Sequence, residues 1–183
     1  MTGSRIIKKR ARIFLGCEGE SEQAYSAFLQ RLAEDEGLMV HLRSVNLQPA
    51  GDPLALAEKA VLAYDREVNR GGFVGKIILL DADRLEEPLD RGLRARRLLE
   101  DEGFTTILQQ PDHEGLLLRH FDGHNRDDPP RGTSMAALHA VWPGYRKNMA
   151  ASDLKRSLSL RDVQRAAIVI PELQALLRVI GFN

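Results

Sequence analysis

The chain has 183 residues, 43% hydrophobic and 28% charged, which suits one globular domain with a sizeable core. Its 26 Lys and Arg balance 26 Asp and Glu, so bulk charge does not supply a non-specific coat for nucleic acid. The single cysteine, Cys17, excludes an internal disulfide framework and fits a reducing cytoplasm. No run of roughly 18 apolar residues is present to span a membrane.

Residues 5–12 carry Arg5, Lys8, Lys9, Arg10 and Arg12. They read as a frayed basic lead-in, or as an arm that contacts phosphate. They lack the apolar stretch of a signal peptide. Ala11 to Cys17 is short and apolar and predicts the first strand. Gly16 and Gly19 break it, and Ser21 reads as the N-cap of a helix with Ala24, Phe28, Leu29 and Leu32 at helical spacing to about Glu36. Glu18 then lies in the strand-to-helix turn, beside a glycine that lets backbone and ligand approach. Glu20 and Glu22 complement the dipole of a first helical turn, and Glu22 is also a candidate to support a site beside Glu18.

Met39 to Leu47 alternates and predicts a second strand. Asp52 caps a helix with Pro53 at its first position, running to about Asn69 before Gly71-Gly72. Lys76 to Arg84 (KIILLDADR) follows. Four aliphatic residues in a row read as a strand buried on both faces, as in a parallel sheet. Asp81 and Asp83 would then sit at its carboxyl end, where open α/β sheets place ligands. They share parity, so in an extended chain both face one side. Two carboxylates there repel each other unless a cation joins them, and Mg2+ (or Mn2+) suits such oxygen donors. The alternative is a polar Asp-x-Asp turn with Arg84 as its salt partner. A third helix is predicted from about Glu87 to Gly103, with Arg91, Arg94, Arg96 and Arg97, and a fourth strand over Phe104 to Gln110. The order β-α-β-α-β-α-β predicts a mostly parallel sheet with right-handed crossovers.

Taken together, these blocks resemble a TOPRIM domain. Its marks here are Cys17-Glu18-Gly19-Glu20-Ser21-Glu22 after the first strand and Leu80-Asp81-Ala82-Asp83 after a later one. More closely, the chain is similar to the RloB-like proteins of bacterial restriction and phage-defence loci. Their first block is matched by Cys17 to Phe28, with Ser21 in place of threonine. Their later block is matched by Gln110 to Phe121, with Gln110 for asparagine and Leu116 for tryptophan. The resemblance covers residues 11–121. It implies a TOPRIM-like α/β fold in which Glu18, Asp81 and Asp83 bind one or two Mg2+ ions and Glu114 assists. It also implies a Mg2+-dependent nuclease acting on DNA or RNA.

Glu114 also has a reading of its own. Pro111 favours a helix start, which would put another carboxylate at the sheet's carboxyl edge or a dipole partner in a first turn. His113, His120 and His124 do not match a compact zinc spacing, and His120 reads as a hydrogen-bonded structural histidine. Gly123 to Gly132 reads as a polar, proline-rich loop and Thr133 as the start of a short helix. Arg146 or Lys147, after Tyr145, would reach a phosphate or remain solvated. Leu154 to Ala167 and Pro171 to Ile180 predict two amphipathic helices. The division expected is a TOPRIM-like domain over 11–122 and a helical extension over 123–183, packed on it. Rival readings are a non-catalytic sensor beside a companion ATPase or restriction subunits, and a phosphatase of the haloacid dehalogenase type with Asp81 as nucleophile.

Overall fold

The computed structural model describes residues 10–86 and 88–182. The basic lead-in at residues 5–9 and the helix start expected at Glu87 lie outside them. Four strands, β1 (Ala11–Cys17), β2 (Val40–Asn46), β3 (Gly75–Asp81) and β4 (Thr105–Gln109), form one all-parallel sheet in the order β2-β1-β3-β4. The α/β class and the helical C-terminal part expected from the sequence are both present.

The pleat sends alternate residues into two cores. Ile13, Leu15, Cys17, Ile77, Leu79 and Ile107 face one core. It is completed by α1 (Glu20–Asp35), α4 (His113–Leu118), α5 (Ser134–Val141), α6 (Ala151–Ser157), α7 (Leu160–Ala167) and α8 (Pro171–Ile180). Phe14, Ile78 and Leu80 face the other, under α2 (Pro53–Val68) and α3 (Leu89–Asp101). Burying one such aliphatic side chain stabilises the fold by about 1.5–3 kcal/mol. In the second core Phe14 meets Tyr64, Phe73 and Phe104 edge-on, with ring centroids 5.4, 5.8 and 6.1 Å away. Residues from both 11–122 and 123–182 share the first core, so the helical extension has no separate interior.

Several boundaries differ from the sequence reading, each for a local reason. Gly19, not Ser21, caps α1, because the Glu22 carboxylate accepts the Gly19 N–H at 2.9 Å. The chain stops extending at Asp81 and coils into a 3-10 turn, Ala82–Leu85, which breaks the parity expected of Asp81 and Asp83. α4 begins after Asp112, whose side chain accepts from Gly115 N, rather than at Pro111. The helix expected over 154–167 is two helices: Leu158 is extended, and Ser159 and Asp162 cap α7.

Close approaches hold the 3-10 turn in place. A Cβ on Gly92, in α3, would lie 1.9 Å from the Leu85 carbonyl oxygen. At the amino end of the sheet, Glu67 accepts from Arg43 Nε and Nη2, each at 2.9 Å, and pairs with Arg70 at 3.0 Å and Arg12 at 3.7 Å. Its pKa is lowered, chiefly by the hydrogen bonds from Arg43. One carboxylate therefore joins β1, β2 and the end of α2. No helix among the described residues is long and apolar enough to cross a membrane.

Candidate functional site

β1 connects to β2 on one side, while β3 and β4 lie on β1's other side. The connections therefore reverse direction between β1 and β3, and the carboxyl ends of these two strands border a crevice. β1 delivers Glu18 to it and β3 delivers Asp81. α1 adds Glu22 from its first turn, and α4 adds His113 and Glu114. A recess of about 210 Å³ is lined by Glu18, Glu22, Asp81, His113, Glu114 and Lys147, among others.

Glu18 is 7% exposed and accepts from the Asp81 backbone N–H at 3.1 Å and from Arg84 Nε at 2.6 Å. The Gln109 amide nitrogen donates to Glu22 Oε1 at 3.1 Å and Asp81 Oδ1 at 2.9 Å, and its oxygen accepts from His113 Nδ1 at 2.8 Å. A neutral amide thus stands between two acids. Burial raises the pKa of Glu18 and of Glu22. Asp81 is pushed up to about 9, first by burial and then by the charges of Glu18 and Glu22. His113 is held down to about 4 by burial, so it is neutral at pH 7.

The 145–148 segment closes the rim. Tyr145 donates its hydroxyl to Glu114 Oε1 at 3.1 Å. Ser21 Oγ bonds to Asn148 Oδ1 at 3.1 Å, and Asn148 adopts a left-handed φ of 57°. That latch presents Lys147 to the recess, where its charge partly offsets the rise that burial gives the Glu22 pKa.

The structure brings together Glu18, Glu22, Asp81, Glu114 and Lys147 from the sequence prediction. Asp83 goes elsewhere: its carboxylate pairs with Arg131 Nε at 3.4 Å in a separate recess, because the 3-10 turn rotates it away from Asp81. Arg146 is exposed and does not line the recess. Gln109, His113 and Tyr145 were not foreseen as parts of the site. The signal for the first two was their place: one closes β4, and the other opens the helix after it.

The donor type fits Mg2+, since carboxylate oxygens of Glu18, Glu22, Asp81 and Glu114 line one recess. Among the described residues, no three Asp, Glu, His or Cys side chains are arranged as a ready ligand set. Arg84 holds Glu18, and Gln109 holds Glu22 and Asp81. Compared with protein-family models, curated proteins and solved structures, the chain matches none.

Proposed function

We propose that the chain is a Mg2+- or Mn2+-dependent nuclease that hydrolyses a phosphodiester of DNA or RNA. The observation that carries this reading is the meeting of Glu18, Glu22 and Asp81 at the crevice between β1 and β3, with Lys147 beside them. Glu18 and Asp81 would hold the cation, and Glu22 would join them once the Gln109 amide turns aside. A bound divalent ion supplies Lewis-acid stabilisation of the charge that develops on phosphorus oxygens and an acidified water. Lys147 offers a cation to a non-bridging phosphate oxygen. Glu114, oriented by Tyr145, stands on the recess wall where it can position a water or accept its proton.

By its resemblance to the RloB-like proteins, such an activity would serve bacterial defence, with a companion ATPase or restriction subunits as partners. A second reading, a non-catalytic subunit of such a complex, is favoured by one observation: Arg84 already neutralises Glu18. The phosphatase reading draws less support, because the Asp-x-Asp residues do not share a recess.

The test is cleavage of labelled single- and double-stranded DNA and RNA with Mg2+ or Mn2+, using wild type, Asp81→Asn and Glu18→Gln, with folding checked by circular dichroism. Metal-dependent cutting lost in both variants supports the nuclease. Cutting that survives both would sink the assignment, and no cutting by wild type would favour the non-catalytic subunit.

A further inference from the structure

A cavity lies away from the acid recess, between α7 and α8. Its volume is about 740 Å³, within the usual range of small-molecule sites. Arg161 and Arg165 from α7 and Arg178 from α8 border it, and Ile168, Leu177 and Phe182 supply apolar surface. Arg165 is engaged: it pairs with Asp162 at 2.7 Å, contacts the His120 carbonyl, and lies 3.7 Å from Asp122. The side chains of Arg161 and Arg178 make no hydrogen bond or ion pair among the described residues, although both are exposed at the same opening. Among the described residues, Asp122 is the one acid on the lining. Ile168 is 72% exposed there, an apolar side chain left to water beside two uncommitted guanidinium groups.

An excess of arginine over acid calls for an anion, and the apolar surface calls for a body attached to it. A phosphate monoester suits the rim better than a carboxylate, because it carries up to two charges and three terminal oxygens for several guanidinium forks. We infer that this cavity binds a small organic phosphate of about mononucleotide size. The phosphate meets Arg161 and Arg178, with Arg165 behind them, and the organic part lies on Ile168, Leu177 and Phe182. This site stands apart from the proposed metal centre and does not depend on it.

The experiment is calorimetric titration of the full chain with adenosine 5′-monophosphate, adenosine and inorganic phosphate, each with a chelator so that no divalent ion bridges ligand to the acid recess. Wild type and Arg161→Ala/Arg178→Ala are compared after their melting curves are shown to agree; the single variants serve if the double one does not fold. The expected result is saturable binding of the monophosphate, at least about tenfold weaker in the double variant. Adenosine and inorganic phosphate should each bind more weakly than the monophosphate. No saturable binding, equal affinity in the variant, or equal affinity for inorganic phosphate would each overturn the inference.

Discussion

Arg84 Nε lies 2.6 Å from Glu18 Oε1, so the glutamate best placed to hold a cation already has a cationic partner. The Arg84 side chain is 42% exposed while that of Glu18 is 9% exposed, so the pair straddles the surface. Partial exposure limits its worth to about 1 kcal/mol. A divalent ion must displace it or share the carboxylate with it. Arg84→Gln should therefore tighten Mg2+ binding by roughly threefold to tenfold, read by calorimetry. Affinity that is unchanged or weaker would mean that Arg84 does not compete for Glu18.

His120 makes the stability depend on pH. Its Nδ1 bonds to the Leu116 carbonyl at 2.9 Å and its Nε2 to the Tyr25 hydroxyl at 2.9 Å, an arrangement that suits the neutral ring. Burial lowers its pKa from 6.5 to about 4. Between those values the unfolded chain binds the proton and the folded chain does not. Stability is thus fully present above pH 6.5 and falls as pH drops toward 4, by about 3 kcal/mol for this group. His113, also held at about 4, adds to the loss. Urea midpoints between pH 7.5 and 4.5 should show a shallower fall in His120→Gln. Parallel curves for the two proteins would refute it.

Gly92 should reject even a methyl group. Alanine is intrinsically better in a helix by about 1 kcal/mol, so propensity alone predicts that Gly92→Ala stabilises α3. The Leu85 carbonyl 1.9 Å from the new Cβ decides the opposite sign, because backbone must shift. We expect a loss of about 1–3 kcal/mol in chemical denaturation. Gly51→Ala, with nothing within 4 Å of its Cβ, should stay near wild type. A stabilised Gly92→Ala would contradict this packing.

Glu67→Gln removes the charge shared by Arg12, Arg43 and Arg70 and should cost about 1–3 kcal/mol at pH 7. Because the folded pKa lies below the ordinary 4.5, this stability is present above that value and is lost as pH falls through the lowered one. Thermal melts of variant and wild type should separate at neutral pH and converge in acid. A constant gap would point to shape rather than charge.

The sheet was legible because β1 and β3 are mostly apolar runs, β2 alternates apolar with polar residues, and segments of helical spacing separate the strands. Ala11–Cys17 is bounded as read, and the others shift by about a residue. The candidate site was legible where a residue's place follows from its strand end, as for Glu18 and Asp81. Asp83 was misplaced because parity holds only while the chain stays extended, and the coil after Asp81 depends on α3 packing against Leu85. Gln109 and His113 stayed hidden because neither type signals a carboxylate cluster. Their role arises from β4 lying beside β3, a long-range pairing. The break at Leu158 was hidden because helical apolar spacing continues across it, while the Ser159–Asp162 cap starts a new helix.

The Glu67 cluster has a counterpart at the other end of the sheet. Around Glu67 three arginines surround one acid; in the opposite crevice Glu18, Glu22, Asp81 and Glu114 face Arg84 and Lys147. Although the chain has zero formal charge, the crevice lining carries more acidic than basic side chains. Such an excess would favour a small cation near the crevice, over the roughly 8–10 Å that physiological salt leaves unscreened. On the proposed nuclease reading, a polyanionic strand would be repelled by those acids until a cation had offset them.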